Sequence, residues 1–250
     1  MSYLKGSLRN VPVLSATSLA LLLTMLCIAC GQMEQPRQQA HAKNYQEEHV
    51  SRHERQKSRT APGVAGQFDY YVLSLSWAPT FCETPEHRRA HECDPSRYTG
   101  FVVHGLWPQR ENGRSPEYCG NVPLDEITLE EALRLMPDAG LVRHEWRAHG
   151  TCSALSPSTY FDALEKARHA VQIPPPYRDP QRGLRTRPAM VEQRFAQASK
   201  IAQHGAVRAH CAGNKLAEVR FCFTKSLEPR TCSESVGGCR TSTIFMDPVH

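Results

Sequence analysis

Three histidines and one carboxylate have the residue types and spacing for proton-transfer chemistry: His104, His144, Glu145 and His149. Residues four apart on a helix share a face. In His144-Glu145-Trp146-Arg147-Ala148-His149 the carboxylate of Glu145 therefore points the same way as the imidazole of His149. His104 comes from elsewhere in the chain. It follows the apolar run Phe101-Val102-Val103 and precedes Gly105-Leu106-Trp107-Pro108, which reads as the end of a buried strand opening into a fixed turn. Two imidazoles on separate elements, with a carboxylate beside one, suit a reaction that removes one proton while supplying another. Displacement at phosphorus by a neighbouring hydroxyl is such a reaction.

Other chemistries fit less well. A helical zinc-protease motif needs its second histidine four residues after the first, where this chain has Ala148. The sequence has no Gly-x-Ser-x-Gly elbow and no phosphate-binding Gly-rich loop. No metal and no cofactor are expected. His87, His91, His169, His204 and His210 have no motif around them and read as surface or local structure. The net charge of +5 suits a polyanionic partner without selecting one.

The elements that must position these groups follow from patterning. Tyr70 to Trp77 reads as a strand, Pro79 to Gly100 as a loop stapled on itself, and Phe101 to His104 as the next strand. Thr128 and Glu131 form a capping box for a helix whose stripe is Leu129, Ala132, Leu133 and Met136, ending at Pro137. The spacing predicts a helix from Val142 to His149 stopped by Gly150. Another starts at Ser156-Pro157 with Tyr160, Phe161, Leu164, Ala167 and Val171 on one face, and a third near Pro188. Strands return over Ala206 to Cys211, Leu216 to Thr224 and Ser242 to Met246. Strands, then helices, then strands predict an α+β fold with a mainly antiparallel central sheet flanked by helices.

The N-terminal part reads differently. Lys5 and Arg9, then the apolar stretch Val11 to Ala29 and Cys30-Gly31, have the layout of a secretory signal over residues 1–30. Leu26-Cys27-Ile28-Ala29-Cys30 also resembles a lipobox, which makes Cys30 a candidate lipidation site on a bacterial membrane. Ordinary cleavage near Ala29 and an uncleaved anchor are the alternatives. An exported protein, periplasmic or secreted, is expected in each case. Residues 31–66 are polar and charged and read as a disordered spacer before a domain spanning 67–250. Eight further cysteines lie in that domain, an even number that suggests four disulfides; sequence alone leaves the pairing open. The domain has no Cys-x-x-Cys pair of the kind a zinc site uses.

The segments His104-Gly105-Leu106-Trp107-Pro108 and His144 to Cys152 resemble the HGLWP and HEWxKHGTC motifs of the ribonuclease T2 family. The first matches throughout, and the second departs only where Ala148 replaces lysine. The resemblance covers roughly residues 67–250 and implies a disulfide-stapled α+β domain of that family's kind. It implies an endoribonuclease acting on single-stranded RNA with low base specificity and no metal. A lyase-type transesterification to a 2′,3′-cyclic phosphate would precede hydrolysis to a 3′-phosphate. His149 would be the general base and His104 the general acid. Glu145 and His144 would lie against the phosphate, Glu145 with a raised pKa, and Trp107 would hold His104 or touch substrate. The implied disulfides are Cys119–Cys152, Cys211–Cys239 and Cys222–Cys232, which leaves Cys82–Cys93. Unpaired bases would stack on aromatic side chains, with Tyr71 and Trp77 as candidates. A monomer is expected.

Position 148 lies four after His144 and three after Glu145, so the missing lysine would project between them toward the phosphate. Its loss predicts a slower enzyme unless Arg147 or a distant arginine supplies the charge. The alternative is a catalytically weakened, RNA-binding envelope protein. Incubation with RNA in EDTA separates the two: cyclic-phosphate products mark the enzyme, intact retained RNA the binder.

Overall fold

The computed structural model describes residues 63–85, 87–88, 90–94 and 100–249. The signal segment, Cys30 and most of the expected spacer lie outside the described residues. Residues 63–66 do not belong to a spacer. Gly63 N–H donates to Glu117 O at 2.8 Å and Gly66 N–H to Cys152 O at 2.9 Å, so this backbone is bonded into the domain.

The sheet is built on β1 (Tyr70–Trp77), fully buried along its length. β1 pairs antiparallel with β2 (Phe101–Gln109) on one side and with β5 (Lys215–Phe223) on the other. β4 (Val207–Ala212) forms a hairpin with β5 through Gly213 and Asn214, Gly213 taking the positive φ that such a tight turn demands. β6 (Ile244–Met246) joins β5 through the parallel pair Lys215 and Phe245, and β3 (Leu184–Thr186) pairs antiparallel with β6. The α+β class and the mainly antiparallel sheet are as the element order implied.

One face of the sheet carries Leu73, Leu75, Trp77, Val219, Phe221 and Phe223 into the main core. Helices α3 (Ala139–Ala148), α4 (Pro157–His169) and α5 (Pro188–Ala198) are drawn into that core by Val142 and Trp146, by Tyr160, Phe161, Leu164 and Ala167, and by Val191 and Phe195. Two shorter helices, α1 (Ala78–Cys82) and α2 (Glu126–Ala132), lie earlier in the chain. The opposite face of β1 and β5 carries Ser74, Ser76, Glu218 and Arg220, and this polar face borders the functional residues.

Several boundaries differ from the sequence reading, each for a local reason. α2 is capped by Asp125, whose carboxylate accepts the Thr128 N–H and hydroxyl, so Thr128 sits inside the first turn instead of capping it. α3 begins three residues early because Asp138 caps it through Leu141 N–H. The loop after β1 opens with α1, and its staple Cys82–Cys93 is formed together with Cys119–Cys152, Cys211–Cys239 and Cys222–Cys232. β2 continues through the whole Gly105 to Pro108 stretch instead of ending at His104. Pro108 is tolerated because β2 is an edge strand, where a missing ladder donor costs little.

Gly150 does not end α3 by a left-handed turn; the chain passes into a 3₁₀ turn, Gly150–Ser153, and Ala154 takes the positive φ of 63°. Gly150 is required by packing. A Cβ there would lie 2.3 Å from Trp146 Cε3 and 3.1 Å from Tyr160 Cδ1. Gly150→Ala is expected to destabilise the domain by about 1–3 kcal/mol through overpacking, lowering Tm by roughly 2–4 °C per kcal/mol. An unchanged Tm in a thermal melt would show that Trp146 yields freely.

Candidate active site

His104 owes its position to an irregularity in the β1–β2 ladder. Ser74 faces Gly105 and Leu75 faces Val103, so His104 is an extra residue with no partner opposite. Such a bulge turns its side chain out of the regular alternation, here toward the polar face. The ring reaches across β1: His104 Nδ1–H donates to Glu218 Oε1 on β5 at 2.9 Å, with Ser76 Oγ 3.2 Å away. Nε2 faces the other way, 3.7 Å from Glu145 Oε1.

Glu145 arrives from α3 and is 1% exposed. It accepts the Trp107 indole N–H on Oε2 at 2.7 Å and lies over Gly105, where a Cβ would meet that oxygen at 2.0 Å. Gly105 is therefore the residue that lets the helix carboxylate approach the strand backbone. His149 caps the C-terminal end of α3, its N–H donating to Glu145 O at 2.9 Å. Trp107 stands between the two imidazoles, its ring centroid 5.1 Å from His104 and 5.6 Å from His149. Trp107, His149, Arg220, Gln109 and Glu117 line one cleft of about 230 Å³.

Burial and charge push these groups in different directions. Burial drives the Glu145 carboxyl up to about 7, against the opposing pull of His104 and the Trp107 hydrogen bond. Burial also disfavours the cationic ring of His104, yet the Glu218 hydrogen bond and the charges of Glu145 and Glu218 outweigh it and hold its pKa above the ordinary imidazole value. Glu218 is held down to about 2 because the His104 hydrogen bond and Arg220 overcome its own burial. His149 falls to about 3 through burial and the neighbouring His144 and His104, and no described group bonds to its buried Nδ1. His144 is lowered by burial and by Arg147; it lies at the outer edge, its ring 6.5 Å from that of His149. At mildly acidic pH, below the ordinary imidazole value, His104 therefore carries a proton while His149 is neutral.

The Ribonuclease T2 family model matches residues 68–232. A ribonuclease of Aeromonas hydrophila is 35% identical over 181 residues, covering 70% of this chain and 81% of that one. The chain belongs to the ribonuclease T2 family. Membership makes it an endoribonuclease. In fold, this T2 ribonuclease resembles an RNase-related protein from Calystegia sepium, with TM-score 0.57 and 21% identity over 72% of this chain and 97% of the other. It also resembles RNase NT in complex with 5′-AMP, with TM-score 0.53 and 24% identity over 73% of this chain and 99% of that one.

In this T2 ribonuclease the structure gathers His104, Trp107, Glu145 and His149 at one place, with His144 at the rim. Tyr71 and Trp77 are not there: they are 3% and 0% exposed in the main core and present no surface to a base. An alternating strand sends every second aromatic inward, and β1 is buried on both faces, so neither could be outward. Ala148 is 2% exposed, whereas Arg147 is on the surface. Glu218 and Arg220 belong to no motif in the sequence. The available signal was two charges alternating with Val219 and Phe221 inside a strand paired on both sides, where charges require partners. Among the described residues no group of three or more His, Cys, Asp or Glu is arranged to hold a metal ion.

Gly105 gives the sharpest geometric test. Gly105→Ala is expected to leave the fold intact, since Gly105 does not take the positive φ that alanine avoids, while displacing Glu145 from the Trp107 indole. The Trp107 Nε1–H resonance in a ¹H–¹⁵N spectrum should shift strongly; a resonance left in place would refute the close approach.

Proposed function

We propose that the site cleaves the phosphodiester of single-stranded RNA by attack of the ribose 2′-hydroxyl, with His149 as general base and His104 as general acid. The observation that carries this reading is the placing of two imidazoles on one indole, 5.1 and 5.6 Å from its centre, with a carboxylate bonded to His104 and no described group bonded to His149 Nδ1. His149, neutral, takes the 2′-hydroxyl proton as the 2′-oxygen bonds to phosphorus. The bond from phosphorus to the 5′-oxygen breaks, and His104 delivers its Nε2 proton to that oxygen. The products are a 2′,3′-cyclic phosphate and a free 5′-hydroxyl. Water then enters with the roles reversed and opens the ring to a 3′-phosphate.

Glu145 and Trp107 complete the arrangement. Below about 7 the Glu145 carboxyl is protonated, so it donates a hydrogen bond to a phosphoryl oxygen without repelling the phosphate. Trp107 fixes that carboxyl through its indole N–H, and His144 meets the phosphate from the rim. The solved relative RNase NT carries 5′-AMP, which supports a nucleotide ligand for this fold. Low base specificity and a monomeric enzyme complete the proposal. Four disulfides form and persist in oxidising compartments. They support export directed by residues 1–30, with Cys30 the lipid attachment point and the polar residues after it the tether.

Replacing His104 or His149 by alanine in the full chain is expected to lower kcat by about 10²- to 10⁴-fold, with cyclic-phosphate products from the parent enzyme unaffected by EDTA. The kcat/KM profile should be bell-shaped. It falls on the acid side as His149, held near about 3, gains a proton, and on the alkaline side as His104, held above the ordinary value, loses one. Activity that only rises toward alkaline pH would overturn the pairing. Mass spectrometry of the exported protein should give an N-terminal lipid-modified Cys30; an unmodified terminus near Ala29 would refute the anchor.

A further inference from the structure

We propose that Arg220 supplies the positive charge to the scissile phosphate that Ala148 cannot, as a catalytic residue delivered by β5 instead of by the helix. This rests on the cleavage reaction proposed above. Arg220 lines the same cleft as His149 and Trp107, and its guanidinium carbon lies 5.4 Å from the centre of the Trp107 ring. That ring is the one standing between the two imidazoles. Arg147 is the arginine next to position 148, but it is exposed beside His144 and does not line that cleft. Position 148 is closed, at 2% exposure.

The guanidinium is held where it is needed. Its Nε–H and an Nη2–H donate to Glu218 Oε2 at 2.8 and 2.7 Å, and an Nη1–H donates to Val236 O at 2.7 Å. A guanidinium has five N–H donors in a rigid fork. Three are spent on positioning, which leaves one on each terminal nitrogen for a phosphoryl oxygen. Glu218 thus grips the general acid with one oxygen and the arginine with the other.

Charge bookkeeping makes the same point. The groups around Arg220 are Glu218 on its own strand, His104 and Trp107 on β2, Arg208 directly opposite it and His210 opposite Glu218 on β4, His149 and Glu145 from α3, and Glu117 across the cleft. Glu145 and His149 are neutral at mildly acidic pH. Glu117 is paired with Arg114 at the surface. With His104 protonated, Glu218, His104 and Arg220 together carry one net positive charge, and of the two cations Arg220 is the one that lines the cleft. Without Arg220 the Glu218–His104 pair carries no net charge, and charge developing on the phosphodiester oxygens would find no guanidinium lining the cleft.

The test uses the full-length enzyme with Arg220→Ala and Arg220→Lys. Arg220→Ala should lose about 100-fold in kcat at every pH across the plateau, with KM changed far less, and millimolar guanidinium should restore much of the loss where equal urea does not. Arg220→Lys should retain more activity than Arg220→Ala. A loss under about threefold, or a loss that guanidinium does not relieve in a variant whose circular dichroism and Tm match the parent, would overturn the role. Should Arg220→Ala fail to fold, Arg220→Gln decides: a plateau kcat lowered about 100-fold supports the proposal, and an unchanged plateau rate, whether or not the pH profile is displaced, overturns it. His104→Ala and His149→Ala run alongside. If they lose activity and Arg220→Ala does not, only this inference fails; if none does, the cleavage mechanism fails.

Discussion

The hydrogen bond from His104 Nδ1 to the Glu218 carboxylate, 2.9 Å long and made across an intervening strand, is the interaction on which the rest of the site depends. A carboxylate largely removed from water in a sheet is costly unless its charge is met, and here His104 and Arg220 meet it from two sides. The same contact fixes the ring's tautomer, leaving Nε2 to face Glu145. It can form because the bulge at His104 swings the side chain to the polar face, where Ser76 on β1 is small enough to let the two groups meet above it.

The second half of the site works by the opposite means. Among the described residues no group bonds to His149 Nδ1 and burial favours its neutral ring, while burial raises the Glu145 carboxyl to about 7. Both come from the last turns of α3, which Trp146 locks against Tyr160 and Val122 O, and which Cys119–Cys152 ties to the loop facing the cleft. The helix thus presents uncharged groups, and the sheet presents charged ones. A reaction that moves a proton from one side of a phosphate to the other needs that asymmetry.

Much of this was legible in the sequence. His104, Trp107, Glu145 and His149 announce themselves because a motif is local, and the helical spacing of Glu145 and His149 fixes their shared face. The β1 strand and the helix starting at Ser156-Pro157 were equally plain, being strongly patterned and capped. What was not legible is non-local. The bulge at His104 exists only as a register between two strands, and Glu218 lies 114 residues away from the histidine it holds. Tyr71 and Trp77 misled because β1 is covered on both faces, a fact of packing with no trace in its alternating pattern. Gly150 looked like a helix stop by residue type, whereas its reason is the ring of Trp146 lying against its backbone.

The account turns on His104 being the cation and His149 the neutral ring in the free enzyme. Titration of the individual imidazoles by ¹H–¹⁵N NMR, with each resonance assigned by its alanine variant, measures this directly. His104 should remain protonated past the ordinary imidazole value while His149 stays neutral down to strongly acidic pH. The two rings titrating together near the unperturbed value, or His149 holding its proton longer than His104, would contradict the account.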